Sequence, residues 1–137
     1  VPDLLVAARA PSPRARTWAI RALGELRRAS AQEALIAALG DVDVGARIWA
    51  ARALGRIGGL AALTPGTIDG LIAAFDAERR PAVRRWLAWA LGEAVRATER
   101  RRRRYRHAPD PALVEHLRAR VAPRWVAWLA VRDAGVH

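Results

Sequence analysis

Apolar residues recur along this chain at helical spacing rather than in alternation. Three segments, 16–24, 47–55 and 84–92, each begin with an arginine, place a tryptophan two positions later and end in Ala-Leu-Gly. Their apolar positions fall at i, i+3, i+4 and i+7, which is the pattern of a helix with one buried face. The pattern predicts three amphipathic helices of one repeating type.

A second apolar pattern alternates with the first. A Leu-x-Ala-Ala sequence begins at Leu5, Leu35 and Leu71, and a weaker form begins at Leu113. The alternation predicts pairs of antiparallel helices, and the pairs must stack because one pair cannot bury its apolar face alone. The predicted fold class is all-α, an α-solenoid of about four antiparallel helical-pair repeats.

The predicted repeats fill one domain over residues 1–137. The repeats are expected at about 13–40, 43–77 and 80–121, with a degenerate unit at 123–137 and a basic connector at 98–109. Because the chain opens with an unpaired helix and lacks an initiator methionine, we expect a fragment of a longer protein. The predicted helices lie at about residues 2–10, 13–28, 31–40, 43–58, 66–77, 80–104, 110–121 and 123–133.

Prolines mark several of the predicted helix starts, where the missing N–H costs nothing. Two of them follow a residue suited to the N-cap position. These prolines and caps are Pro13, Pro81, Thr64-Pro65 and Asp110-Pro111.

Small polar residues and glycines supply further boundary signals. Ser30 is predicted to cap the helix that carries Leu35, with Glu33 completing a capping box. Glycines fit helix ends at Gly40 and at the Gly58-Gly59 pair.

The best-preserved repeat carries a family resemblance. The sequence Val83-Arg84-x-x-Leu-Ala-x-Ala-Leu-Gly92, preceded by Leu71-Ile-Ala-Ala-Phe-Asp76, resembles HEAT-like repeats of the phycobilin-lyase type. The resemblance covers about residues 4–100 well and 110–133 poorly. It implies an α-solenoid fold and says almost nothing about function.

The family consensus places an acidic residue shortly before the Val-Arg pair. Asp41 with Arg47 matches it, and Asp76 or Glu78 with Arg84 matches it as well, whereas Ala10 takes the acidic position before Arg16. In the last repeat Pro123 takes the arginine position and Val131 takes the glycine position, so we expect a degraded or capping unit there.

One arginine per repeat is expected to have a structural role. Arg16, Arg47 and Arg84 share a register position, and the planar guanidinium suits bidentate binding to turn carboxylates such as Asp41 and Asp76. The glycine that ends each segment is expected to allow close contact between neighbouring helices. These glycines are Gly24, Gly55 and Gly92.

Tryptophans form a second repeated row, at Trp18, Trp49 and Trp86. Trp125-Val-Ala-Trp128 repeats the spacing of Trp86-Leu-Ala-Trp89. Two interpretations stay open: each indole packs across to the neighbouring repeat, or an exposed aromatic row binds a partner, as Trp and Arg commonly do at interface hot spots. The second interpretation makes Trp86, Trp89, Trp125 and Trp128 the densest partner-binding cluster.

Composition narrows the classes of function. The chain has 24 basic and 13 acidic residues, every basic residue is arginine, and cysteine is absent, which excludes disulfides and thiolate metal sites. No apolar run approaches the roughly 18 residues of a membrane span, and no signal-peptide pattern opens the chain. We expect a cytoplasmic location and, from the arginine and alanine bias, a bacterial origin.

The excess positive charge is local. Residues 79–106 contain eleven arginines and two glutamates, and five of those arginines are consecutive. On a helix, five consecutive arginines project around the whole circumference, so they are either solvated as a linker or bound to an anionic partner. Nucleic acid, anionic lipid headgroups and an acidic protein surface are the candidates. The candidate residues are Arg100, Arg101, Arg102, Arg103, Arg104 and Arg106.

Catalytic signals are absent from the sequence. His107, His116 and His137 are far apart and show no metal-ligand spacing, and no glycine-rich phosphate loop follows a strand. We therefore expect no enzyme activity, cofactor, metal or small-molecule substrate. Two enzyme classes with HEAT-like folds, the phycobilin lyases and the alkylpurine DNA glycosylases, remain less favoured alternatives.

The predicted function is a non-catalytic scaffold for protein–protein interaction with an anionic partner. Nucleic-acid binding through residues 96–107 is the main alternative, and binding to an anionic membrane surface is less favoured.

Overall fold

A computed structural model describes residues 2–26, 29–60, 63–104 and 118–124. In these ranges the chain is helical, without strands, which confirms the all-α prediction. A short 3₁₀ turn over Ala29–Ala31 precedes α3, and residues 118–124 are also helical. The named helices are α1 (Pro2–Ala7), α2 (Pro13–Leu26), α3 (Gln32–Ala38), α4 (Val44–Leu60), α5 (Pro65–Ala77) and α6 (Pro81–Arg104).

The helices form two layers. The long helices α2, α4 and α6 pack side by side in chain order, while α3 and α5 pack against each other in the second layer. Contacts between α1 and α2, α3 and α4, and α5 and α6 join the layers. This is the stacked arrangement of an α-solenoid, in which each helical pair completes the apolar surface of its neighbour.

The core lies between the two layers. The leucine of each Ala-Leu-Gly triplet is fully buried, at Leu23, Leu54 and Leu91, in one cluster with Leu35 and Leu71 of the short helices. Burial of each such side chain contributes about 1.5–3 kcal/mol. The two sequence patterns therefore mark the two sides of one core.

Proline-marked helix starts agree with the prediction. Pro13 and Pro81 are the first residues of α2 and α6. Thr64 caps α5, because its Oγ1 accepts a hydrogen bond from the backbone N–H of Thr67 at 3.1 Å, and Pro65 follows in the first turn. The capping prediction at 110–111 lies outside the described residues.

The capping prediction for Ser30 is wrong. Ser30 lies inside the 3₁₀ turn, and the N-cap of α3 is Ala31, whose backbone is already helical and which provides no side-chain cap. The polar residue that matters here is the buried Gln32, whose Oε1 accepts a hydrogen bond from the backbone N–H of Thr64 at 3.1 Å. Tertiary packing rather than local capping therefore fixes this turn.

Three predicted boundaries also shift. Helix α1 ends at Ala7 rather than at about residue 10, and α4 continues through Gly58 to Leu60 instead of ending at the glycine pair. Residues 118–124 form one continuous helix across the predicted break between 121 and 123, so Pro123 does not start a new helix. Most of the predicted helices at 110–121 and 123–133 lies outside the described residues.

The repeat glycines allow two different close approaches. A β-carbon on Gly24 would lie 2.7 Å from the Cβ of Ala53, so glycine brings α2 directly against α4. A β-carbon on Gly55 would lie 2.2 Å from the indole of Trp89, so this glycine makes room for a ring instead. The long helices can therefore pack closely because these two glycines have no side chain.

Candidate docking surface

Arg16 connects two successive inter-helix turns. Its Nε and Nη2 donate to the Asp41 carboxylate at 2.8 and 3.0 Å. Its Nη1 donates to the carbonyls of Ala10 and Pro11, each at 2.9 Å. The turn before α2 is thereby tied to the turn before α4.

Arg47 repeats this arrangement in the next repeat, where it ties the turn before α4 to the turn before α6. Its Nε donates to the Glu78 carboxylate at 2.8 Å, and its Nη1 donates to the Asp41 carbonyl at 2.8 Å. At the third position, the Nη1 of Arg84 donates to the carbonyls of Phe75 and Glu78 at 2.7 and 2.9 Å. Each of the three arginines thus holds the turn that precedes its own helix.

These ion pairs change the acidity of two turn carboxylates. Hydrogen bonding from Arg16 lowers the pKa of Asp41, against an opposing effect of partial burial. Burial of Glu78 raises its pKa, but hydrogen bonds from the Arg80 backbone N–H and from Arg47 outweigh burial, so the pKa is lowered. Both carboxylates are therefore stabilised in their charged form.

Asp76 does not join this arginine series. The family resemblance pairs Asp76 or Glu78 with Arg84, but the Glu78 side chain binds Arg47 and Asp76 binds Arg124 at 3.0 and 2.6 Å. Arg120 makes a parallel ion pair with Asp69 at 2.5 Å. The physical reason is position: Asp69 and Asp76 lie two turns apart on α5, and residues 118–124 pack beside that helix.

The tryptophan row of the long helices is interleaved with arginines. The guanidinium carbon of Arg21 on α2 lies 4.3 Å from the ring centroid of Trp49 on α4. Arg52, also on α4, lies 4.3 Å from the Trp49 ring and 4.6 Å from the Trp86 ring on α6. Cation–π attraction of this kind favours a guanidinium held flat against an indole. We call this series the Arg/Trp stack: Arg21, Trp49, Arg52 and Trp86.

Trp89 extends the aromatic packing inward. Its ring meets the Trp86 ring edge to face at 5.5 Å and 87°, a favourable geometry for an aromatic pair. It also occupies the space left by Gly55, and both tryptophans pack against the buried core. Trp49, Trp86 and Trp89 are therefore half-buried packing residues.

Trp18 behaves differently from its repeat counterparts. Its side chain is 70% exposed, whereas Trp49 and Trp86 are half-buried. The exposed residues Arg14 and Arg21 lie four positions before and three positions after it, on the same side of α2. Packing against a neighbouring helix therefore applies to Trp49 and Trp86, while Trp18 is exposed. A partner-binding role for the tryptophan row stays a prediction.

Charge is divided between the two layers. The long helices α2, α4 and α6 carry fourteen arginines and three glutamates. In the short helices α1, α3 and α5 every charged residue is acidic: Asp3, Glu33, Asp69 and Asp76. The charge of each helix is readable from the sequence, but which helices share a layer follows only from the structure.

The outward side of the long helices is the main basic surface of the described residues. Arg56 pairs with Glu25 across α2 and α4, and Arg96 pairs with Glu93 on α6. In the described part of the chain no carboxylate forms an ion pair with Arg14, Arg21, Arg52 or Arg85. We call this surface the long-helix face; it contains Arg14, Trp18, Arg21, Trp49, Arg52, Arg56, Arg85, Trp86, Arg96 and Arg100.

The predicted basic run lies at the end of this surface. Helix α6 extends through Arg104, so the consecutive arginines are helical, and Arg100 is exposed. The side chains of Arg101–Arg104 are outside the described part of the structure, as are Arg106, Trp125 and Trp128. The structure therefore adds Arg14, Trp18, Arg21, Arg52 and Arg85 to the candidate set, all N-terminal to the run.

A metal-ligand cluster and a membrane span are both absent from the described ranges. Among residues 2–26, 29–60, 63–104 and 118–124, no group of three histidine, aspartate or glutamate side chains could hold a metal ion. Across the same part of the chain, no helix is long and apolar enough to cross a bilayer.

The two-layer stack of helical pairs with a repeated Arg-x-Trp…Ala-Leu-Gly helix defines an α-solenoid repeat protein. The family model for HEAT repeats matches residues 1–92, so the chain belongs to the HEAT repeat family. Members of that family commonly act as protein-interaction scaffolds and are typically non-catalytic. No curated protein matches the chain. The phycobilin-lyase type of repeat stays a prediction.

Proposed function

We propose that this protein is a non-catalytic HEAT-repeat adaptor that binds an acidic segment of a partner protein on its long-helix face. The observation that carries the proposal is the Arg/Trp stack, in which guanidinium groups without carboxylate partners are held against indoles. A bacterial, cytoplasmic setting belongs to the same proposal, and the arginine and alanine bias of the sequence supports its bacterial part.

The geometry of the stack suits carboxylate binding. Arg52 is held between two indoles at 4.3 and 4.6 Å, so its long side chain has little freedom left to lose on binding. A guanidinium carries several N–H donors in its plane, and no carboxylate of the described residues forms an ion pair with Arg52. Those donors form a fork that matches the two oxygens of a carboxylate.

Nucleic-acid binding is the second candidate, favoured by the eleven arginines of residues 79–106. Phosphate contacts would suit such a density of positive charge. However, proteins that bind single strands also stack successive bases on open aromatic rings. Guanidinium groups already lie over Trp49 and Trp86, which favours a protein partner over a single strand.

The test compares two polyanions on one pair of variants. Binding of poly-glutamate and of an oligonucleotide of equal charge is measured by isothermal calorimetry at several salt concentrations. We expect the double variant Arg21→Gln/Arg52→Gln to lose at least about tenfold in affinity for poly-glutamate. Arg79→Gln/Arg80→Gln removes the same charge from an exposed turn away from the stack and should stay close to wild type.

Two results would contradict the adaptor proposal. Equal losses in both double variants would mean that net charge, not the stack, governs binding. Tight oligonucleotide binding with a steep salt dependence, and no binding of poly-glutamate, would favour the nucleic-acid candidate.

A further inference from the structure

The tryptophan ring of the long helices is covered by an arginine of the preceding long helix in two repeats and is uncovered in the first. The tryptophan two positions after the arginine that recurs in each repeat is covered at Trp49 by Arg21 and at Trp86 by Arg52. In both cases the covering arginine comes from the preceding long helix, three positions after that helix's own tryptophan. Trp18 occupies the same register on α2 and is 70% exposed.

The surroundings of Trp18 determine what could cover it. In α2 its neighbours along the exposed side are Arg14 and Arg21, and Glu25 lies one turn further on, paired with Arg56. Two guanidinium groups beside the ring make this part of the surface positively charged. The same groups attract carboxylates, while the open indole offers apolar area to a side chain packed on it.

We infer that the long-helix face binds an acidic segment that carries an apolar or aromatic side chain between its carboxylates, and that Trp18 recognises this side chain. The inference rests on the proposed function and specifies its partner. In this arrangement carboxylates meet the guanidinium edges of Arg14, Arg21 and Arg52, and the apolar side chain packs on Trp18. Charge supplies attraction, whereas the indole supplies selectivity.

A nucleobase on Trp18 is the competing occupant. Binding of single strands without sequence preference relies on several aromatic platforms for successive bases. Along the described long helices Trp18 is the one member of its register that no guanidinium covers, because Trp49 and Trp86 are already stacked. A single open ring between two guanidinium groups therefore fits an acidic peptide with one apolar anchor better than it fits a row of stacked bases.

The experiment uses two synthetic peptides and one oligonucleotide. One peptide is a run of glutamates with a central phenylalanine, the second has alanine at that position, and the single-stranded oligonucleotide has the same net charge. Affinities are measured by fluorescence anisotropy with labelled probes on the full chain. The variants are Trp18→Ala, Trp18→Phe as the conservative exchange, and Val42→Ala as a control for loss of an exposed apolar side chain in another region.

We expect wild type to bind the phenylalanine peptide at least about tenfold more tightly than the alanine peptide, a hot-spot-sized difference. Trp18→Ala should remove this preference while leaving affinity for the alanine peptide within about twofold. Trp18→Phe should retain most of it, and Val42→Ala should match wild type. Melting temperatures verify that each variant is folded. We expect all of them to fold, because Trp18 and Val42 are exposed.

Each contrary outcome has a separate meaning. If wild type binds both peptides equally, or Trp18→Ala weakens both equally, the inference about Trp18 is wrong and the adaptor proposal stands. If neither peptide binds, the adaptor proposal is wrong as well. If Trp18→Ala weakens only the oligonucleotide, a nucleobase is the occupant and the inference is overturned.

Discussion

The indole of Trp89 on α6 fills the space where a β-carbon on Gly55 of α4 would lie. The distances from that position to three ring carbons are 2.2, 2.7 and 2.8 Å, which no real β-carbon tolerates. The ring is rigid, and it is held in turn by its edge-to-face contact with Trp86. Helix α6 is thus fitted to α4 through one glycine and one tryptophan.

Gly55→Ala is therefore expected to destabilise the protein despite alanine's higher helix propensity. The added methyl group forces the Trp89 ring to move, an overpacking change that costs about 1–3 kcal/mol. Chemical denaturation followed by circular dichroism measures the loss. Gly66→Ala is the matched control, because the nearest atom to its new β-carbon is 3.9 Å away, and a strain-free exchange is stabilising by about 0.4–1 kcal/mol. Equal stabilities of the two variants would contradict the packing described here.

Arg52 is expected to couple energetically to Trp86 across the α4–α6 interface. Its guanidinium carbon lies 4.6 Å from the Trp86 centroid, so a double-mutant cycle with Arg52→Ala and Trp86→Leu isolates the pair. Cation–π contacts at exposed sites contribute about 0.5–1 kcal/mol, and the coupling should fall in that range. Arg80→Ala with Trp86→Leu provides the control cycle and should show no coupling. A coupling free energy of zero in the Arg52 cycle would mean that the contact between Arg52 and Trp86 does not stabilise the protein.

Acid is expected to weaken the contact between Asp41 and Arg16. Because hydrogen bonding from Arg16 lowers the pKa of folded Asp41 below its unfolded value of about 3.9, the unfolded chain binds the proton more readily. The stabilisation is present above about pH 4 and is lost as pH falls through the folded pKa. Asp41→Asn should flatten the dependence of unfolding free energy on pH in this acidic range, measured by urea denaturation at each pH.

Arg16→Gln tests the cause assigned to that pH dependence. The lowered pKa of Asp41 arises first from the Arg16 side chain, so both single variants should flatten the profile similarly. The double variant Arg16→Gln/Asp41→Asn should add little beyond either one. A profile that stays steep in both single variants would place the acid sensitivity elsewhere.

Residues 118–124 are expected to loosen when their acidic partners on α5 are removed. Asp69 and Asp76 bind Arg120 and Arg124, and Val121 is buried beside them. The double variant Asp69→Ala/Asp76→Ala should speed amide hydrogen exchange in 118–124 while the α4 amides keep their protection.

The global cost of that double change should be small. Exposed ion pairs contribute about 0–1 kcal/mol each, so the unfolding free energy should fall by no more than that per pair. Glu33→Ala, an exposed acidic residue on α3, controls for the change in charge. Unchanged exchange in 118–124 would mean that contacts other than these two ion pairs hold the segment.

Several features followed from the order of residues. The two apolar periods predicted the alternating long and short helices, since helical burial depends on spacing along one chain segment. Pro13, Pro81 and Thr64 marked helix starts for reasons confined to one turn. Ser30 failed as a cap because its turn is fixed by Gln32, which binds a residue distant in sequence.

Partner choice within the repeats could not be deduced in the same way. Arg47 and Arg84 are both preceded by acidic residues, yet the Glu78 side chain binds the arginine of the earlier helix and Asp76 binds Arg124. Spacing along one segment cannot show whether an arginine side chain binds the carboxylate of the turn before its own helix or that of the turn before the next long helix. The packing of one helical pair against the next makes that decision.

By itself the sequence determined the all-helical class, the repeat, the overall positive charge and the register shared by the three tryptophans. Only the tertiary structure decided that Trp49 and Trp86 are covered by arginines of neighbouring helices while Trp18 is open. It also decided that the arginine-rich long helices and the acidic short helices lie in opposite layers. The physical reason is that burial and pairing depend on which helix stands beside another, whereas periodicity reports on one helix at a time.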